Sequence, residues 1–478
     1  MTSGLGSIGR NTAWLIVQNL ANKLISFLIT AYLARQLGVG GFGTLATILS
    51  FVMTASVFTD MGLSMYTVRS IAASPHLAAR WFGTGMFLTG GLASLTFCAT
   101  LGAAWAMSAR VTLPLVAMVS GGILLSILAN YAGAYAQGLE RMEVLASGEL
   151  VYRVALLIGC VLAVTAGWGL PGIGAAYLAS GFLMLAWTLK MLIPGLFRPA
   201  WEVDGGLLWS LLGGSWVYAL TGLIILVHFN AGVLLSARWG GAAEAGYFSS
   251  ASSLMFAVRL LPGLLPRAAF PTLTRRVSEN PAEIAPLNTR MLRYTMLLTL
   301  PISVGGALLA PPIVVAVFGG KFLAAAPTAQ VLLGGVWLMS LNNASGYMFL
   351  SVNRIRSATG WVGLIMALQL LLAFWWIPAY GALGAAWAFV VSEAVGQWAL
   401  SLSLGLLYKS PFPWLAAMRC GVASLLMGAL VWYLRPVSNL AALIGVGAAA
   451  YWLLLLLFGE WGEEERRIFW GIFGKGAV

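Results

Sequence analysis

Charge is what this sequence has least of. Its 478 residues include 26 Lys and Arg and 14 Asp and Glu, so only 8% are charged, against about 25% in ordinary soluble domains. With 60% of residues hydrophobic, a soluble core has no use for so much apolar sequence, and the solvent for most of the chain is lipid. Cysteine and histidine are scarce too. Cys98, Cys160 and Cys420 fall in apolar stretches, and His76 and His228 lie far apart. This argues against a disulfide framework and offers no Cys/His metal-binding spacing. No GxxxxGK[ST] run occurs, so no ATPase motif is built in. There is no large loop carrying an acidic sugar-transfer motif. No soluble domain interleaves basic and aromatic residues, so nucleic acid is not an expected partner. The net charge of +12 fits basic cytoplasmic loops and an anionic leaflet.

What remains is apolar sequence in membrane-length pieces. At about 20 residues per crossing, the expected fold is an all-α polytopic membrane protein of about fourteen transmembrane helices. The spans fall at 12–34, 43–66, 82–107, 113–137, 147–168, 173–194, 208–236, 246–270, 291–318, 327–351, 359–378, 381–406, 416–434 and 440–458. The first stretch carries Asn19, Asn22 and Lys23 with no obvious cleavage site, and reads as a retained span rather than a signal peptide. Placing the N-terminus inside puts nineteen Lys and Arg in cytoplasmic segments and five outside, with Lys23 and Arg259 within spans. That asymmetry obeys the positive-inside rule and predicts both termini in the cytoplasm. The links at 138–150 and 271–290 suit amphipathic elbows, and the tail 460–478, with charges among Trp461, Phe469, Trp470 and Phe473, suits the cytoplasmic interface.

A repeat organises the spans. At an offset of 203, Ala34, Arg35, Gly38, Gly43 and Ser50 match Ala237, Arg238, Gly241, Gly246 and Ser253. Both copies sit at the link between the first two spans of a half. The expected architecture is two six-helix bundles, 1–203 and 204–410, followed by two further helices over 411–459. An even number of spans gives the halves one orientation, related by a pseudo-two-fold axis along the membrane normal with a central path between them.

The same region carries a family pattern. The run NLANKLISFLITAYLARQLGVGGFGTLATILSFV, then TDMGLSMYTVRSIA, with AGYFSSASSL and PRAAFPTLTRR in the second half, resembles the Wzx-type polysaccharide flippases of the multidrug/oligosaccharidyl-lipid/polysaccharide exporter superfamily. The matching elements are Ala34-Arg35, Leu37-Gly38, Phe42-Gly43, Asp60, Gly62-Leu63 and Arg69. The resemblance implies a flippase, not an enzyme. It would move an undecaprenyl-diphosphate-linked oligosaccharide from the inner to the outer leaflet of a bacterial cytoplasmic membrane, by alternating access coupled to an ion gradient. It also implies membrane lipids, a polysaccharide polymerase and glycosyltransferases as partners. No cofactor is expected, and the coupling ion would be H+ or Na+.

Polar residues inside the spans are the site candidates, because a charge at mid-bilayer costs about 2.5–3.5 kcal/mol on insertion scales unless it faces a cavity or a partner. Helical spacing lines up Asn19, Asn22, Lys23, Ser26 and Thr30; Ser56, Asp60 and Ser64; Ser215, Tyr218, Gly222 and His228; Ser249, Ser252, Arg259 and Gly263; Asn343, Tyr347 and Ser351; and Glu393, Gln397 and Ser401. Such stripes also occur as helix-to-helix glue. In the functional reading Lys23 and Arg259 meet the diphosphate, as a point charge and a planar fork. Asn19, Asn22, Asn343, Tyr347 and Gln397 meet sugar. Glu393, Asp60 and His228 are the candidates for ion coupling. Structural pairing of Asp60 and helix-interface packing of His228 stand beside that role. Two relatives of the same superfamily compete with this function, a lipid II flippase and a drug or metabolite antiporter. A membrane glycan polymerase or ligase competes from another class.

Overall fold

The computed structural model describes the backbone of residues 2–74, 76, 78–106, 112–192, 203–436 and 439–460, and side chains within these except at 2–20, 217, 261 and 355. The expected interfacial tail beyond residue 460 lies outside the described residues. Among those residues every regular element is helical. The α-helices are α1 (Thr2–Asp60), α2 (Leu63–Ala73), α3 (Ala78–Ala106), α4 (Leu113–Gly138), α5 (Met142–Thr165), α6 (Gly169–Leu192), α7 (Gly205–Glu279), α8 (Ile284–Phe318), α9 (Ala326–Gly334), α10 (Val336–Ser351), α11 (Ile355–Tyr408), α12 (Trp414–Leu434) and α13 (Leu440–Leu457). An apolar chain in lipid has this solution because helices satisfy their own backbone N–H and C=O groups where no water can.

Eleven stretches among the described residues are long and apolar enough to cross a membrane. Three are far longer than one crossing: Ala21–Ala73 with 53 residues, Tyr218–Leu260 with 43 and Arg356–Tyr408 with 53. Each contains a glycine with non-helical backbone inside its long helix: Gly38 (φ 67°, ψ 179°), Gly241 (φ 78°, ψ −173°) and Gly381 (φ 55°, ψ −134°). The fourteen spans expected from the sequence require each of these three stretches to count as two.

Gly38 and Gly241 are the repeat-related pair, and they share one backbone conformation that is essentially restricted to glycine. Just beyond them the two copies touch. A Cβ on Gly43 would overlap the Ala242 carbonyl, and a Cβ on Gly246 would lie 2.5 Å from the Val39 oxygen. Val39 and Ala242 are themselves 203 apart, so the contact is reciprocal and the local two-fold relation passes between Gly43 and Gly246.

The chain forms two compact units, Met1–Ser249 and Ser250–Val478. The division falls inside α7, whereas the repeat sets its boundary at 203/204. The first segment of α7 packs on α1 and α2: a Cβ on Gly222 would meet the Val57 side chain, one on Gly62 the Tyr218 side chain, and one on Gly214 the Tyr66 ring. Asp204 starts α7 by accepting from the backbone N–H groups of Leu207 and Gly206 and pairing with Arg80. These donors, the backbone ones first, hold its carboxyl below the usual range.

In the second unit the last helices are fastened by a buried carboxylate. Glu460, with only 4% of its side chain exposed, accepts from Arg293 Nε of α8 and from an Arg419 guanidinium nitrogen of α12, each at 3.0 Å. Nearby, the Tyr451 hydroxyl of α13 donates to the Leu297 carbonyl at 2.9 Å.

Two stability outcomes follow from these contacts. Gly38→Ala or Gly241→Ala should each lower stability by about 1–3 kcal/mol, through backbone strain alone. No atom stands within 4 Å of either added Cβ. Gly421→Ala, equally uncrowded but inside helical α12, should be neutral or stabilising, by up to about 1 kcal/mol. Glu460→Ala strands two guanidinium groups that are 29% and 39% exposed. It should cost about 1–3 kcal/mol, below the figure for a fully buried pair. Thermal unfolding of the detergent-purified protein measures both.

Candidate functional site

The second unit brings several intramembrane polar groups together. Glu393, on the α11 segment after Gly381, is 4% exposed. Its side-chain carboxylate accepts from the Asn342 side-chain amide of α10, and its backbone carbonyl accepts from the same amide nitrogen at 2.8 Å. Arg259, on α7, has Glu393 and Tyr347 as electrostatic neighbours. The Tyr347 ring stands edge-on to Phe270, 5.6 Å between centroids. One turn along α11 from Glu393, buried Gln397 donates to Ser401 Oγ at 2.9 Å. Expected phosphate, sugar and ion residues, namely Arg259, Tyr347, Gln397 and Glu393, therefore share one unit and one neighbourhood. Asn343 is half-buried. The amide that meets Glu393 belongs to its neighbour Asn342, which the sequence stripe passed over, because helical spacing on α10 alone cannot tell which of two adjacent amides faces α11.

The first unit holds the remaining candidates in separate places. Asn22 of α1 is 6% exposed and donates to Glu149 Oε2 of α5 at 2.7 Å. Its neighbour Lys23 is exposed at the helix surface. The Asn19 side chain lies outside the described residues. Glu149 escaped the sequence reading although it stands in the expected fifth span, where the insertion cost that singled out Glu393 applies equally. His228 is 4% exposed on α7. Asp60 closes the last turn of α1 and opens α2: its carboxylate accepts from the backbone N–H of Gly62 at 3.1 Å and of Ser64 at 3.3 Å, and from the Ser64 hydroxyl. Met61 and Gly62 take positive φ at this break. In this arrangement Asp60 is a helix cap, satisfying amides that the interruption would otherwise leave bare in lipid.

An apolar groove lies close to Arg259. It holds about 390 Å³ and is lined by Val258, by Leu297, Pro301 and Leu309 of α8, and by Met427 of α12 and Leu443 of α13 among others. Val258 is the residue before Arg259, so the polar neighbourhood and the apolar groove share α7. Leu298 and Ile444, also on the groove wall, are 36% and 54% exposed.

Comparison with known proteins agrees with this architecture. The chain is similar over its length to the probable low-salt glycan biosynthesis flippase Agl15 of Haloferax volcanii, with 21% identity over 464 residues, covering 94% of this chain and 96% of that one. The teichuronic acid biosynthesis protein TuaB of Bacillus subtilis is 27% identical over 239 residues, 48% of this chain and 49% of that one. Among solved structures, the lipid II flippase MurJ in an inward closed conformation superposes with a TM-score of 0.75 at 14% identity, covering 92% of this chain and 98% of that chain. That likeness gives the fold. The family model described as "Polysaccharide biosynthesis protein" matches residues 8–277, more than half the sequence, and the chain belongs to that family of multi-pass membrane proteins.

Proposed function

We propose that this protein is a flippase carrying an undecaprenyl-diphosphate-linked oligosaccharide from the inner to the outer leaflet of the cytoplasmic membrane, by alternating access driven by an ion gradient. The full-length relative Agl15 is named a glycan biosynthesis flippase, and transport rather than catalysis is the role the family comparisons support. The observation that carries the proposal is Arg259: a guanidinium on a membrane-spanning helix, with a buried acid as electrostatic neighbour, next in sequence to Val258 of an apolar groove. A lipid-linked anion asks for that combination. Its phosphates need a cation and its tail needs an apolar wall, since each tail CH₂ exposed to water costs about 0.8 kcal/mol.

In this reading Arg259 offers the phosphates a bidentate fork, and Lys23 in the first unit offers a point charge. Each lowers the charge carried through low dielectric. Tyr347, an electrostatic neighbour of Arg259, meets sugar hydroxyls together with Asn343 of the same helix and Gln397, and the groove receives part of the polyprenyl tail. Both termini face the cytoplasm. Glycosyltransferases supply the substrate on the inner face and a polymerase consumes it on the outer face.

The test is complementation of a flippase-null strain with leaflet-specific detection of the lipid-linked glycan. Arg259→Ala and Lys23→Ala should abolish export while the protein stays inserted, and Arg259→Lys should keep part of it, since charge survives but the fork does not. Wild-type export by both alanine variants would sink the cationic route.

A further inference from the structure

The first unit contains a cavity of about 550 Å³ that the proposed transport does not use. It falls in the size range of small-molecule pockets. Its lining comes from the stretches that carry the repeat, through Thr44, Ile48 and Phe51 of α1 and Leu234, Arg238 and Ala242 of α7. The end of α3 and the start of α4 complete it with Ala104, Thr112 and Val116.

This lining changes character along the helices. Arg238 stands three residues before the Gly241 break, Thr44 six residues after the Gly38 break, and Thr112 caps α4. All three therefore sit where crossing segments end. Phe51 lies seven residues further along α1 than Thr44, about 10 Å deeper. Leu234 is one turn in from Arg238, and Val116 one turn in from Thr112. The cavity is polar at the membrane surface and apolar toward the hydrocarbon core.

Two features make its polar end electropositive. Arg238 is exposed, and no acceptor among the described residues holds its guanidinium, whereas its repeat mate Arg35 is engaged within the protein. The N-terminus of α4, where the Thr112 side chain makes no cap hydrogen bond, adds the positive end of a 26-residue helix. No acidic residue among the described ones lines the cavity.

We propose that this cavity binds one anionic glycerophospholipid of the surrounding bilayer, with its phosphate on Arg238 beside the start of α4 and an acyl chain on the apolar wall. A soluble anion has no use for the wall, and an uncharged lipid has no use for the guanidinium. A phospholipid presents head and tail in the order in which the lining receives them. Bilayer lipid is also the occupant present in greatest excess, and mass action favours it. The cavity adjoins the contact between the repeat copies: Ala242 lines it and also offers the carbonyl that Gly43 packs against. A lipid held by α1 and α7 together stabilises that contact when it binds. The site does not depend on the flippase reading.

The test titrates the full chain, purified in nonionic detergent, with phosphatidylglycerol or phosphatidylcholine of identical acyl chains. Native mass spectrometry counts the lipids retained, and thermal unfolding follows the stabilisation. Wild type should retain one phosphatidylglycerol saturably and melt higher with it. It should hold phosphatidylcholine about tenfold less tightly or worse. Arg238→Ala should weaken phosphatidylglycerol by about tenfold or more, the loss of one charge-assisted hydrogen bond, and Arg238→Lys should recover part of it. Ala237→Phe, which fills the cavity and keeps the guanidinium, should also lose the lipid; if that variant does not fold, the Arg238 pair decides. Lys321→Ala, which removes an exposed cation of the second unit, should bind as wild type does. Equal retention of the two lipids would overturn the proposal. So would an Arg238→Ala protein that binds like wild type, or a Lys321→Ala protein that loses as much as Arg238→Ala. A polyprenyl phosphate that displaces phosphatidylglycerol from wild type at lower concentration, through Arg238, would overturn it in favour of a carrier lipid.

Discussion

A backbone amide that loses its helical partner in lipid finds no water to replace it, and the described structure is arranged around that penalty. Helices run unbroken until a residue appears that can bear the interruption. Gly38, Gly241 and Gly381 do so by adopting backbone that side chains disfavour. The break at Met61 and Gly62 is borne differently, by the Asp60 carboxylate reaching two following amides. The repeat then becomes a physical statement as well as a pattern of letters. Residues 203 apart share the same dihedral exception, and the helices that start there meet through glycines whose Cβ atoms would collide with each other's backbone. Gly43 and Gly246 stay glycine for the other copy's sake.

The sequence carried the large-scale organisation because composition and periodicity report on solvent. Low charge and apolar runs gave the helical membrane fold, and the matched Gly38 and Gly241 marked where the stretches bend. Intramembrane charge pointed to Arg259 and Glu393, and the structure puts them in one neighbourhood. Partner choice was not legible. Asn342 rather than Asn343 meets Glu393 from 51 residues away, and Asn22 meets Glu149 from 127 residues away; a stripe on one helix says nothing of the helix that faces it. Asp60 was singled out as an acid in a span, and its polar neighbour Ser64 lay on the same stripe. Its place as a cap depends on a helix break that the apolar run 43–66 concealed.

Two buried acids of the second unit show why burial alone does not identify a working group. Both Glu460 and Glu393 are about 96% covered. Glu460 is surrounded by donors: each carboxylate oxygen takes a nitrogen from a different arginine, and its backbone carbonyl takes a third contact from Arg293 at 3.1 Å. Its charge is satisfied by groups that fix three helices together, and changing its protonation would break that bracing. Such saturation is the signature of a structural ion cluster.

Glu393 sits in a different setting, accepting from the Asn342 amide with Arg259 as an electrostatic neighbour. Its hydrogen-bonding neighbour Asn342 and its helical neighbour Gln397 each present an amide oxygen without a donor, and Ser345 adds a hydroxyl in the same condition. The same unit holds Arg259, whose charge favours an anion. Glu393 and Arg259 carry opposite charges within one neighbourhood, so a change of charge at either changes the field at the other. Two ligands whose binding free energies depend on one another are thermodynamically coupled, reciprocally and without any need for a long path between them. A transporter that links two charged ligands needs such dependence, and an acid and a guanidinium that share one neighbourhood are groups of the kind that supply it.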